Sequence, residues 1–341
     1  MAKTISQTGS APRHAKRRAK PIFPLFLASV AAACAVFLAL GLAGYKDMRD
    51  MVLTWTEIAG VAGTEDPEAP KEYVEAREDG TDGGPTVVSA QAPVGAEPDW
   101  LYKPINLKAL REINPDVSGY IYIPGTNVDY PILKESVPEE YFYINHNMYK
   151  ASDQYGSIFE LCDEERGDPG IDNPVTWLFG HHMSSGSMFA TLYSYEDEAF
   201  WDTPVYVYRD DWRAEYQVIG YCYVDKNDSV YAFSDYARGS SEYEWLLGHL
   251  KENNAMTAER TWPDKTGDLM VLSTCYGRAG TSRRMVLLCR ELRRAMVPEY
   301  YESIKDVERY GGDGTPVDPS SVDGYEKLDD GVNGMDGLLG G

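Results

Sequence analysis

Cys275 ends a short apolar run, Leu269-Met-Val-Leu272, that breaks into Ser273, Thr274, the thiol itself and then Gly277. A cysteine attacks a carbonyl carbon as its thiolate. An unperturbed thiol titrates near about 8.5, so a working one needs a cation or a base at its side. Arg284 offers the cation. It lies beyond the Gly-containing stretch 276–283, at the start of a second apolar run, Met285-Val-Leu-Leu288. If both runs are strands, Arg284, Val286 and Leu288 share one face, and pairing brings the guanidinium near the thiol. A lone cysteine is more often a small buried hydrophobe. Here its neighbours are hydroxyls, an aromatic and a glycine rather than aliphatics, which suits an exposed strand end.

The base must come from elsewhere, and the chain has five histidines. His14 lies among N-terminal basic residues. His249 sits beside Leu250 on a predicted helix and reads as a helix-surface residue. His146 lies in a polar loop, Tyr143-Ile-Asn-His-Asn147, where it can equally be a structural hydrogen-bonder. His181 and His182 follow Gly180 at the end of a predicted strand, Val175-Thr-Trp-Leu-Phe179. Adjacent residues of an extended chain face opposite ways, so this pair makes a poor metal site. There is also no Cys-x-x-Cys or His-x-x-x-His spacing, and no metal or cofactor is expected.

The elements that must position these groups are short. Asn106 to Ile113 reads as a helix, with Leu107 and Leu110 on one side. Gly119–Gly125, Val128–Ile132, Ser157–Leu161 and Val175–Phe179 read as strands. Pro204–Tyr208 and Trp212–Val224 form a hairpin around Arg209-Asp-Asp211. Ser241-Glu-Tyr-Glu244 has the form of a capping box, followed by an apolar face of Tyr243, Leu246, Leu247 and Leu250. Many short strands with few helices predict a mostly β domain, a closed or nearly closed barrel over residues 99–301.

The remainder of the chain is read from charge and hydropathy. The formal net charge of -22 argues against nucleic acid as a partner. Lys3, Arg13, Lys16, Arg17, Arg18 and Lys20 nonetheless all precede the first acidic residue, Asp47. Between them, Ile22 to Gly44 carries no charged side chain. A helix over that segment would be about 34 Å long against a hydrocarbon core of roughly 30 Å, longer than a signal peptide's apolar region. Residues 22–44 are therefore expected to be one transmembrane anchor, with a basic cytoplasmic segment at 1–21 and everything later outside the cell. Residues 45–98 read as a helical stalk and a flexible acidic linker, and residues 302–341 as an acidic, Gly-rich, disordered tail. Cys34 falls in the apolar segment, and Cys162, Cys222 and Cys289 in or beside strand patterns, so no disulfide framework is expected and Cys275 should be unpaired.

The ordered set of motifs resembles the class B sortases, cell-surface cysteine transpeptidases of Gram-positive bacteria. The resemblance rests on Leu272-Ser-Thr-Cys275 with Arg284-Met-Val286, and on Leu178-Phe-Gly-His-His-Met183 with Gly186-Ser-Met-Phe189 and Leu192. Gly119-Tyr-Ile-Tyr-Ile, Thr126-Asn-Val-Asp-Tyr-Pro131 and Gly156-Ser-Ile-Phe159 fit in the same order, as does a helix after Ser241. It covers roughly Trp100 to Arg290 and implies a sortase-type closed β-barrel with short helices, preceded by one transmembrane helix.

The resemblance implies Cys275 as nucleophile, His181 as general acid/base and Arg284 as oxyanion or substrate-positioning residue, with Ser273 and Thr274 as substrate contacts. His182 competes with His181, and Arg283, then Arg278, with Arg284; the family motif favours His181 and Arg284. The implied reaction cleaves a C-terminal sorting signal of the Asn-Pro-x-Thr-x type on secreted proteins. The acyl group then passes through a thioester to a cell-wall peptidoglycan amine, or to a pilin subunit in a polymerising variant. A surface cysteine protease or a non-enzymatic anchored binding module are the competing readings.

Overall fold

The computed structural model describes residues 44, 46–77, 86–89, 103–134, 141–160, 174–231, 236, 238–263, 267–277 and 281–304. They fall in two units, residues 1–52 and 53–341. In the first, residues 46–50 are exposed and helical. The predicted anchor at 22–44 and the tail at 302–341 lie almost wholly outside the described residues. Among the described residues no helix is long and apolar enough to cross a membrane.

The second unit opens with a helix, residues 53–62 (α1), whose Trp55, Ile58 and Ala62 are buried. Trp55 meets Tyr130 edge to face at 5.0 Å. Asn106 ties the end of α1 to the next helix, Leu107–Ile113 (α2). Its N–H donates to the Ala62 carbonyl, its amide to the Thr64 hydroxyl, and its side-chain oxygen caps Ala109 N–H. Filling both ends with one residue satisfies orphan helix groups that would otherwise be costly.

Among the described residues ten strands make one sheet: β1 (Glu72–Arg77), β2 (Thr86–Ser89), β3 (Val117–Tyr122), β4 (Asp129–Lys134), β5 (Ile158–Glu160), β6 (Val175–Phe179), β7 (Val205–Tyr208), β8 (Trp212–Asp225), β9 (Leu269–Cys275) and β10 (Arg283–Met296). The order is β2-β1-β10-β8-β7-β3-β4-β5-β6-β9, and β9 pairs again with β10. That last pairing closes eight strands, β3 to β10, into a barrel, as the sequence predicts. Among the described residues only β4–β5 and β6–β9 are parallel. β9 and the first half of β10 are almost entirely buried, which is why both read as unbroken apolar runs.

Three expectations are corrected. The linker at 45–98 is not without structure: β1 pairs with β10 and with β2, and Tyr73 and Val74 are buried. Its acidic composition hides a strand that adds to an existing edge and so needs few apolar residues of its own. β10 also runs to Met296, well past the apolar run ending at Leu288. Its later charges are paired in place, Arg294 with Glu291 at 2.6 Å and Arg293 with Glu215 at 2.6 Å. Register shifts after Leu288 and Glu291 break the alternation that would have marked it as a strand. Finally, the helix Ser241–Glu252 (α3) is capped by Ser240, whose hydroxyl accepts Tyr243 N–H, so the predicted capping box does not form.

Candidate active site

β9 carries Cys275 to the barrel rim, and β10 starts beside it. Arg284 is the register partner of Cys275, and Val286 that of Ser273. Opposite residues of an antiparallel pair share a face, so the thiol and the guanidinium stand on the same side. β6 runs parallel to β9 on the other flank, with Phe179 opposite Ser273. His181 and Cys275 each lie two residues beyond that pair, and the ladder continues through Gly180 N–H to the Ser273 carbonyl at 3.2 Å. Strand register alone therefore converges imidazole, thiol and guanidinium.

Gly180 makes this approach feasible. A Cβ there would sit 2.4 Å from Ile158 Cδ1 and 2.9 Å from the Phe189 ring. The three groups line one cleft together with Ile144, Phe179, Gly180, Tyr231, Ser273 and Thr274.

His181 and Arg284 are each anchored to backbone carbonyls. His181 Nε2 lies 2.7 Å from the Ile144 carbonyl. A carbonyl only accepts, so Nε2 carries the proton and Nδ1 is the basic nitrogen of the neutral ring. Burial lowers the His181 pKa below its ordinary 6.5 and the Arg284 charge lowers it further, while the Ile144 contact works in the other direction. The resting imidazole is thus neutral at pH 7, a base ready to take a proton. Arg284 is buried. Its Nη1 donates to the carbonyls of Thr281 at 2.8 Å and Arg283 at 3.1 Å, and its Nη2 has no hydrogen-bond partner. A buried guanidinium nitrogen left unpaired is costly unless something else arrives to accept from it.

Two competing residues, His182 and Arg283, are placed outside the cleft. His182 stacks on Tyr193 at 4.4 Å and is absent from the cleft lining. Arg283 is exposed and lies over the rings of Tyr223 and Tyr276. Arg278 lies outside the described residues. Ser273 and Thr274 both line the cleft but are deeply buried. The Ser273 hydroxyl is 2.9 Å from that of Tyr231, and the Thr274 hydroxyl has no hydrogen-bond partner. Cys222, Cys275 and Cys289 are free thiols, and of these only Cys275 is not buried. Burial pushes the Cys222 pKa up to about 12 and the Cys289 thiol higher still. Cys162 lies outside the described residues. Among the described residues no cluster of three metal-ligating side chains occurs.

Residues 121–292, half of the chain, match the sequence pattern of a family described as Sortase, the sortase domain. The chain belongs to the sortase family. Its relatives include sortase B of Listeria monocytogenes, 28% identical over 170 residues that cover 50% of this chain and 66% of that protein. Sortase B of Staphylococcus aureus is 25% identical over 188 residues, 54% of this chain and 74% of that one. The chain thus spans just under two thirds of the Listeria relative's length. Both of these relatives are sortases B, members of a family of cysteine transpeptidases. The crystal structure of sortase B from B. anthracis superposes with a TM-score of 0.52 at 20% identity, covering 73% of this chain and 99% of that one. That likeness is one of fold.

Two residues of this sortase's site carry no signal in the sequence. Tyr231 comes from a single 3-10 turn, Ser229–Tyr231, and walls the cleft from behind Ser273. Tyr193 comes from an eight-residue 3-10 helix, Phe189–Glu196, and reaches the backbone around Cys275. Both are among 25 tyrosines in the chain, and nothing in their spacing sets them apart.

Proposed function

We propose that this chain is a membrane-anchored transpeptidase that cleaves a sorting signal on secreted proteins and transfers the acyl part to a cell-wall amine. The convergence of Cys275, His181 and Arg284 on one cleft carries the reading.

The chemistry follows from the groups present. Nδ1 of neutral His181 takes the Cys275 proton as Sγ attacks the scissile carbonyl carbon. A C–S bond forms, and the carbonyl oxygen gains the charge. Nη2 of Arg284 is the donor with no partner beside the cleft, suited to that oxyanion. Collapse breaks the C–N bond, and the proton on His181 passes to the leaving amine. An incoming amine then attacks the thioester, gives its proton to His181 and expels Cys275. The sorting signal of the Asn-Pro-x-Thr-x type, the cell-wall amine, the anchor at 22–44 and the extracellular position of the barrel are taken from the class B kinship and the N-terminal charge pattern.

Mass spectrometry tests the reading. The full chain is incubated with Asn-Pro-x-Thr-x and Leu-Pro-x-Thr-Gly peptides, with and without a peptidoglycan-like amine, beside Cys275→Ala. An acyl adduct on Cys275 that moves to the amine is expected. Cleavage that survives Cys275→Ala, or a thioester that only water resolves, rejects it.

A further inference from the structure

We infer that Tyr193 is a positioning residue that clamps the turn bearing Cys275, seated on the second histidine of the Gly-His-His motif. The inference deepens the transpeptidase reading and rests on it. The Tyr193 hydroxyl donates to the Cys275 carbonyl at 2.8 Å and accepts Gly277 N–H at 2.8 Å. Those two backbone groups flank Tyr276, at the point where β9 ends and the chain leaves the ladder. Gly277 has φ +91° there, a left-handed conformation that only glycine adopts without strain. One oxygen therefore spans the first residues after the nucleophile and fixes the direction in which its Cα–Cβ bond is presented.

The ring is braced by two aromatic neighbours. His182 stacks on it at 4.4 Å with an interplanar angle of 16°, and Tyr276 lies at 5.1 Å. The backbone brings these together. His182 bridges to Met188, and Phe189 N–H donates to the His181 carbonyl at 2.9 Å, so the segment after β6 folds back and starts the 3-10 helix beneath it. The two adjacent histidines thus serve opposite sides of the chain, His181 the cleft and His182 the clamp. Burial raises the Tyr193 pKa above its ordinary 10.0, so the phenol keeps the proton it donates.

A clamp of this kind acts on orientation, where small misplacements cost much rate. Tyr193→Phe keeps the ring, its stack on His182 and its tilted contact with Tyr276, and removes only the oxygen. In the full chain, kcat for acyl transfer from a sorting peptide to an amine should fall about tenfold, with KM for the peptide unchanged. By NMR, exchange of the Gly277 amide should speed up about tenfold or more while the Val271 amide within β9 stays as it was. A raised KM at constant kcat, or unchanged exchange at Gly277, overturns the inference. A wild-type chain that acylates no sorting peptide overturns the transpeptidase reading instead, and exchange at Gly277 then decides the clamp by itself.

Discussion

Arg284 faces Cys275 across the β9–β10 ladder, yet its guanidinium is half committed to its own loop. Nη1 holds the carbonyls of Thr281 and Arg283, and this fixes the plane in which Nη2 is left over. The planar fork is the point. A guanidinium can bind two loop carbonyls with one nitrogen and keep another aimed at a substrate, whereas a single ammonium nitrogen must choose. Arg284→Lys is therefore not conservative here. Its kcat should drop about 10²–10³-fold, the usual cost of losing one oxyanion donor, with a small change in KM. Steady-state kinetics with a fluorogenic sorting peptide checks this.

The pH dependence follows from His181. Its pKa lies below 6.5 because burial and Arg284 both oppose the charged ring. The basic form therefore persists to lower pH than in a free histidine, and the acid limb of kcat/KM should have its midpoint below 6.5. Replacing the guanidinium removes a repulsive charge, so in Arg284→Met the ring should titrate at higher pH. NMR titration of the His181 ring reads both, without needing activity from the variant. The linked stability has the same sign. The unfolded chain binds the proton more readily than the fold, so stability falls as pH drops from 6.5 through the folded pKa.

Gly180 gives a test of packing. A methyl group there meets Ile158 Cδ1 at 2.4 Å and the Phe189 ring at 2.9 Å. Both neighbours are fully buried, so neither has room to retreat. Gly180→Ala should cost about 1–3 kcal/mol of stability, the range for overpacking a filled core. It should also displace His181 and lower kcat. Thermal unfolding and kinetics on one sample separate the two effects, and an unchanged Tm would show that the site yields more easily than its packing implies.

Elements that keep a simple period are legible in the sequence. β6 reads at its true limits, because a run buried on both faces, Val175 to Phe179, is bounded by Pro174 and Gly180. The Cys275 strand and its partner are visible for the same reason, and the Arg-Met-Val triplet, together with the face shared with Val286, favours Arg284 as the residue facing the thiol. β1 is hidden because it is held by pairing with an edge supplied by β10 rather than by an apolar run of its own. The second half of β10 is hidden because its register shifts break the alternation and Arg293 is matched by Glu215, far away in sequence. Tyr193 is hidden for another reason: its partners are main-chain groups, which leave no trace in side-chain patterns.

The N-terminal helix and the concealed strand after it bear on stability. A boundary drawn from composition would start the folded unit near Trp100, yet Trp55, Ile58, Ala62, Tyr73 and Val74 are all buried. Glu75 also pairs with Arg293 at 3.5 Å, and Asn106 gives its N–H to Ala62. Cutting the chain at residue 99 would expose the faces these side chains cover. Burying one large apolar side chain is worth about 1.5–3 kcal/mol, so losing several should remove much of a marginal fold's stability. A chain beginning at Trp100 should therefore melt well below one beginning at Leu53. The catalytic cleft lies on β6, β9 and β10 and does not include the deleted residues. At temperatures where the shortened chain remains folded, Cys275 should still acylate at the rate of the longer one. Equal melting temperatures would mean that α1 and β1 are only draped on the barrel. A slower acylation by a fully folded short chain would mean that they help to shape the cleft from a distance.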